Sequence, residues 1–207
     1  MVKSKRRPAP IAPSIAPPIA PAIPAVAAAP LLKLDFGCGP HKREGFTGCD
    51  RHPFVGVDQV VDLTIIPWPW KDASVAEAHA SHFLEHLTAM QRCGFVNELY
   101  RILVPGGKCQ IITPHWCSER AYGDPTHQWP PLSEFWYFYL NREWRRANAP
   151  HSDAEVLPGG FNCDFDATWG YSMRPDLIVR NQDYQQFALA NYKGAAMDTI
   201  ATLTRKA

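Results

Sequence analysis

The sequence predicts an α/β sandwich of three layers built on a mostly parallel sheet. Three observations lead there. From residue 31 onward, short apolar runs alternate with glycine-rich turns. Acids stand at the ends of the first three runs. One longer stretch, TAMQRCGFVNELYRIL, carries apolar residues at helical spacing and is followed by a PGG stop and another strand.

The elements follow in order. LLKLDF is a strand that ends in an acid and runs straight into GCG. FTGCD is a second strand, QVVDL a third, and SVAEAHAS a weaker fourth. The helix after it places Met90, Cys93, Phe95 or Val96, Leu99 or Tyr100, and Leu103 on one side, with Thr88 as its N-cap. VPGG ends that helix and KCQIIT is the next strand. Residues 115 to 160 are irregular and aromatic, with a helix in LSEFWYFYLNREWRR. FNCDFDATW and MDTIATLTRK close the sheet, with a short helix, DYQQFALANY, between them. This order is Rossmann-like. One connection is unusual: only HKREG separates the GCGP turn from the second strand, where a parallel crossover ordinarily needs about a dozen residues. The first helix is therefore a single turn or absent.

The 207 residues suit one domain with a tail, and 46% hydrophobic residues supply a core. Residues 1 to 30 are the tail: Pro/Ala/Ile repeats that favour extended polyproline II, with a basic tip of Lys3, Lys5, Arg6 and Arg7. The tail is expected to be disordered, a flexible spacer or a tether to a partner protein. Four of the 21 basic groups lie in it, which leaves 17 against 20 acids, a body at −3. The whole chain is at +1, which does not point to nucleic acid held by bulk charge and leaves a local basic groove open. No apolar run approaches the roughly 20 residues of a membrane helix. Repeated prolines argue against reading the N-terminus as a secretory signal. Cys38, Cys49, Cys93, Cys109, Cys117 and Cys163 form no C-x-x-C pair, so they are expected to be reduced and mostly buried in a cytoplasmic protein.

The motif LDFGCGP has Gly37 and Gly39 where backbone passes close to a ligand. A nicotinamide-binding fingerprint would have a third glycine where Lys42 stands, so a dehydrogenase is disfavoured. Asp50 ends the second strand, where a carboxylate can accept both hydroxyls of a ribose or simply be solvated in a turn. Asp62 and Leu63 end the third, where an acid can accept from an exocyclic amine. Ligands in open α/β sheets bind at these carboxyl ends.

LDFGCGP, GCD, VVDLTIIPWPWKDASV, ASHFLEHL and ELYRILVPGGKCQIITPH, in that order over residues 31 to 115, resemble the class I S-adenosylmethionine-dependent methyltransferases. Within them the likeness is to the small methyltransferases with an xSHxLEHL element. The resemblance implies a Rossmann-like fold with an antiparallel closing strand and S-adenosyl-L-methionine as cofactor. It implies that Asp35, Gly37, Cys38 and Gly39 line the methionine part and that Asp50 holds the ribose. Asp62 and Leu63 would contact the adenine, and Ser81 and His82 would lie beside the methyl sulfonium.

HFLEH at 82 to 86 has the spacing of an inverted zinc-peptidase motif. That motif needs both histidines on one regular helix, whereas Thr88 caps the helix after them. No metal is therefore expected, and Glu85 and His86 are read as a polar pair closing the loop. If the acceptor must lose a proton, His82, His115 and His127 are the candidate bases, with His86 and Asp124 near them. TPHW stands where amino-group methyltransferases of nucleic acids carry Asn-Pro-Pro-Tyr. The segment from 115 to 160, with Trp116, Trp129, Trp136, Tyr137, Tyr139 and Trp144 beside Arg142, Arg145 and Arg146, is either a helix packing on the core or a substrate lid. The expectation is methyl transfer to a small-molecule, nucleotide-like or saccharide acceptor. The alternatives are a catalytically inactive interaction module and, less favoured, a zinc hydrolase.

Overall fold

The structure is a computed structural model that describes residues 30–156 and 159–207. The expectations for the tail fall outside the described residues, apart from Pro30.

Seven strands form one mixed sheet: β1 (Leu32–Phe36), β2 (Thr47–Asp50), β3 (Gln59–Val60), β4 (Val75–Ser81), β5 (Leu103–Pro114), β6 (Phe165–Met173) and β7 (Ala196–Arg205). Their order is β3-β2-β1-β4-β5-β7-β6. The first five pair in parallel, and β7 runs antiparallel between β5 and β6. This is the expected Rossmann-like sheet with its antiparallel closing strand.

The long helix is α1 (Ala89–Ile102), with Thr88 and Gln91 forming a reciprocal capping box. It packs Phe95, Val96, Leu99 and Ile102 on the sheet. Met90, expected on that face, is 49% exposed. Arg92 and Glu98 are buried instead, and both are hydrogen-bonded. Arg92 donates to backbone carbonyls, and Glu98 accepts from Trp68 N–H and Arg101. The core is rich in edge-to-face aromatic contacts: Phe36 lies 5.6 Å from Trp70 and 5.5 Å from Phe95.

The other helices are short: α2 (Arg120–Gly123), α3 (Glu134–Phe138), α4 (Arg142–Asn148), α5 (Pro175–Ile178) and α6 (Gln182–Asn191). LSEFWYFYLNREWRR thus forms two helices instead of one, because the Asn141 side chain accepts from Trp144 N–H and starts a new helix. The following strand begins four residues later than expected. Asp164 accepts from Arg142 N–H and Asn162 N–H donates to Asn97, so residues before Phe165 serve the helices. Tyr137 and Leu140 are fully buried, so this segment packs on the core, while Trp116 and Trp129 remain exposed.

The sheet has one apolar face and one polar face. Leu34, Phe36, Ala78, Ala80, Cys109, Ile111, Ala201 and Leu203 face the core. The strand register lines up Asp35, His79, Gln110, Thr202 and Thr168 across the opposite face, with Lys33, Glu77, Lys108, Thr204 and Asp166 in the next row. No helix separates β1 from β2. Residues 37–46 run over the polar face instead. Arg43 donates its N–H to Asp35 and its guanidinium to Gln110, and Phe46 packs against the His79 ring.

All six cysteines are free. Cys49, Cys109 and Cys163 are buried, and the other three are half-buried. Among the described residues, no helix is long and apolar enough to cross a membrane.

Candidate functional site

A cavity of about 670 Å³ opens at the carboxyl ends of β1, β2, β3 and β4. Gly37, Asp50, Asp62, Leu63, His82 and His86 are among the residues that line it. This is where ligands bind in open α/β sheets.

Gly37 follows β1 directly and has φ of +62°. A Cβ there would lie 2.4 Å from the Phe83 ring, so only glycine fits. The turn is pinned by Gly37 N–H donating to Cys49 O at 2.8 Å. Two residues on, Gly39 N–H donates to Asp50 Oδ2 at 3.0 Å, and His52 N–H donates to Asp50 Oδ1 at 2.9 Å. Both Asp50 oxygens are thereby fixed by backbone, and each keeps lone-pair capacity for a ligand hydroxyl.

Asp62 Oδ1 accepts from the Thr64 hydroxyl at 2.7 Å and from Thr64 N–H at 2.9 Å. Those bonds hold its carboxyl below the usual range, and Oδ2 remains free. Leu63 is buried, and its carbonyl accepts from Trp68 Nε1 at 3.1 Å. Its N–H has no partner among the described residues. This corner therefore presents one acceptor and one donor side by side, a pattern that fits the exocyclic amine and ring nitrogen of an adenine.

Other expected site residues lie elsewhere. Asp35 is 3% exposed and faces the polar side of the sheet, not the cavity. Its oxygens accept from Arg43 N–H at 2.8 Å and meet His79 Nδ1 at 2.7 Å. Leu34 and Phe36 occupy the apolar face, so strand alternation alone sends Asp35 to the other side. Cys38, Gly39 and Ser81 border the turns without lining the cavity. Burial, and then the charge of Asp35, push the Cys38 thiol up to about 11. His115 is buried, with Nδ1 accepting from Cys117 N–H at 3.2 Å and Nε2 bonded to Glu134 at 3.0 Å. Both nitrogens are used, which makes it a structural residue and not a base.

His82 does line the cavity, in a left-handed conformation with φ of +51°. Its N–H donates to Ile112 O, and Nδ1 lies 3.2 Å from Glu85 Oε1. That bond raises its pKa from the ordinary value, against the effect of burial.

HFLEH forms no regular helix: Leu84–His86 is a single 3-10 turn. The two histidines of the motif are not paired with each other. His86 instead meets His127 of a downstream loop, ring centroids 4.8 Å apart. Glu85, His86 and His127 each offer a ligand atom, all within 4.8 Å of one another. The local motif concealed this grouping because its third member is 41 residues further along the chain. Arg92 is another residue the sequence reading missed. Buried on α1, it donates to the carbonyls of Leu84, Glu85, Gln128 and Pro130, tying the two loops together.

No family model matches this sequence, and no curated protein matches it. Solved structures share its fold. A SAM-dependent methyltransferase from Archaeoglobus fulgidus superposes with a TM-score of 0.57 at 16% identity, over 85% of this chain and 86% of that one. A chain of a Haloferax volcanii complex that contains the Trm112 methyltransferase activator superposes with a TM-score of 0.51 at 13% identity, over 87% of each. The chain shares the Rossmann-like fold of these structures. The cyclase SpnF superposes as well, with a TM-score of 0.50 at 16% identity, over 86% of this chain and 75% of that one. A protein named for a different reaction thus shares this fold, so the site has to carry the functional argument.

Proposed function

We propose that this protein is an S-adenosylmethionine-dependent methyltransferase. The observation that carries the reading is the strand-end constellation in one cavity: the Gly37 turn, the backbone-fixed Asp50 carboxylate, and the free Asp62 Oδ2 beside the Leu63 N–H. These groups suit a ligand that carries a ribose and an adenine, with its methionine part beside the bare Gly37 backbone. Cys38, Gly39 and Ser81 then support the turns around it. Asp35 supports them too, from behind the sheet.

When bound, the cofactor supplies an electrophilic methyl group on a sulfonium. The protein's part is to hold cofactor and acceptor in line and exclude water. Asp50 orients the ribose and Asp62 the base. His82, at the end of β4, stands on the cavity wall where a proton from the acceptor can be received. His115 has no such role, and His127 stands behind His86. The acceptor enters from the side of His86, Thr126 and Gln128. Small molecules, nucleotides and saccharides all meet this description.

Calorimetry tests the reading. S-adenosylmethionine and S-adenosylhomocysteine should both bind the wild type, and Asp50→Ala should weaken both at least about 10-fold, since it removes charge-assisted hydrogen bonds to the ribose. Absence of binding by the wild type, or equal binding by Asp50→Ala, overturns it.

A further inference from the structure

We propose that Glu85, His86 and His127 form a divalent-cation site that fixes an oxygen-bearing acceptor in the cavity. The cation stands on these residues alone. That its open positions face a methyl acceptor rests on the function proposed above.

The first support is proximity. The three ligand atoms come within 4.8 Å of one another, close enough for small adjustments to bring them onto one ion. The second is the tautomer of each imidazole. His127 Nδ1 lies 3.3 Å from Ala121 O, a carbonyl that only accepts, so Nδ1 carries a proton and the lone pair of the neutral ring is on Nε2, which lies 3.9 Å from Asp124 Oδ2. The Thr126 hydroxyl donates to Asp124 Oδ1 at 2.7 Å. It therefore accepts from His86 Nδ1 at 3.0 Å, which again leaves the lone pair on Nε2. Metal-binding histidines are oriented in this way, by a carbonyl or a carboxylate-linked group on the far nitrogen.

The third support is independent of the histidines. Glu85 is 5% exposed, and its Oε2 is buried with no hydrogen-bond partner among the described residues. Oε1 is taken by His82. An unpartnered buried carboxylate oxygen is costly, and a cation is the group that would satisfy it. Finally, the arrangement is built and not incidental. Gln128 N–H donates to Glu85 O at 2.7 Å, and Arg92 donates to four carbonyls across the same two loops. Arg92 is thus a positioning residue for the loop that carries Glu85 and the loop that carries His127.

Two imidazoles and a carboxylate suit zinc, cobalt or manganese better than magnesium or calcium. Three protein ligands leave coordination positions open. His86 and Thr126 line the same cavity as Asp50 and Asp62, so an oxygen ligand on the metal would lie in the chamber that receives the cofactor. A hydroxyl, enol or carboxylate acceptor is the class that such a site would take.

The test uses the full chain stripped with a chelator and titrated with Co²⁺. Visible d–d bands without thiolate charge transfer are expected, since no cysteine is among the ligands. Adding acetohydroxamic acid, a bidentate oxygen donor, should shift those bands. Glu85→Gln, His86→Ala and His127→Ala should each weaken Co²⁺ binding at least about 10-fold, while the exposed His151→Ala leaves it unchanged. The melting temperature of each variant without metal shows that it is folded. No saturable Co²⁺ binding, or binding that survives all three substitutions, overturns the site. Bands that ignore the hydroxamate overturn the open positions. S-adenosylhomocysteine binding by the metal-free protein reports separately on the cofactor reading.

Discussion

The two faces of the sheet differ in what they bury, and the difference explains the shape of the connection between β1 and β2. On one face Leu34, Phe36, Ala78, Ala80 and Ile111 are sealed beneath α1 and the two tryptophans of the WPW segment. On the other, Lys33 pairs with Glu77, Asp35 with His79, and Arg43 with Gln110. A crossover helix exists to bury an apolar sheet face. Here that face has already satisfied itself with polar pairs, so a ten-residue connection carrying Arg43 and Phe46 is enough. The fold is held from one side, and the ligand-facing residues are placed at its edge.

Substitutions on the two faces should therefore differ sharply. Phe36→Ala on the sealed face removes a ring in contact with Trp68, Trp70 and Phe95, and should cost about 3–5 kcal/mol by denaturant unfolding. A loss below about 1 kcal/mol would mean that this face is not the main source of stability. Thr88→Ala removes the capping box of the helix that closes the same face, and should cost about 1 kcal/mol.

The aromatic segment is tied to the sheet by Glu134, which meets His115 of the chain just after β5 and Tyr171 of β6. Burial pushes the Glu134 carboxyl up, but the bonds from His115, its own backbone N–H and Tyr171 outweigh that and hold it at about 2. Its folded pKa lies below its unfolded one. Its contribution is therefore fully present above the ordinary carboxylate pKa and is lost as pH falls toward 2. Glu134→Gln should flatten the loss of stability in that window, and an unchanged acid limb would show that the pair does not couple to folding. At the small end, Thr168→Ala on the polar face should stay within about 0.5 kcal/mol of wild type. A larger loss would show that this face contributes more to stability than its polar pairs suggest.

Much of this was legible locally. The Thr88 cap and the helical spacing of α1 are signals carried by a few neighbouring residues, and the structure matches them apart from Met90. Of the acids expected at strand ends, Asp50 ends β2, Asp35 lies within β1, and Asp62 follows a β3 that stops at Val60. The fourth strand looked weak in sequence because VAEAHAS alternates, and alternation is the mark of a strand buried on one face only. The same alternation could have placed Asp35 behind the sheet, between Leu34 and Phe36. Two features were not legible. His127 reaches Glu85 and His86 only through tertiary folding. Arg92 reads as an ordinary helix charge, and its role depends on four carbonyls from two other loops.

The central claim is that the turn at Gly37 admits S-adenosylmethionine at the edge of this sheet. A thermal-shift titration of the wild type and Gly37→Ala with S-adenosylhomocysteine tests it most directly. Ligand at about 100 times its dissociation constant should stabilise the wild type by roughly 2.7 kcal/mol. Gly37→Ala, whose new Cβ would meet Phe83 in a left-handed turn, should melt somewhat lower and show little or no shift. No shift of the wild type at millimolar ligand, or equal shifts in both proteins, would contradict the account.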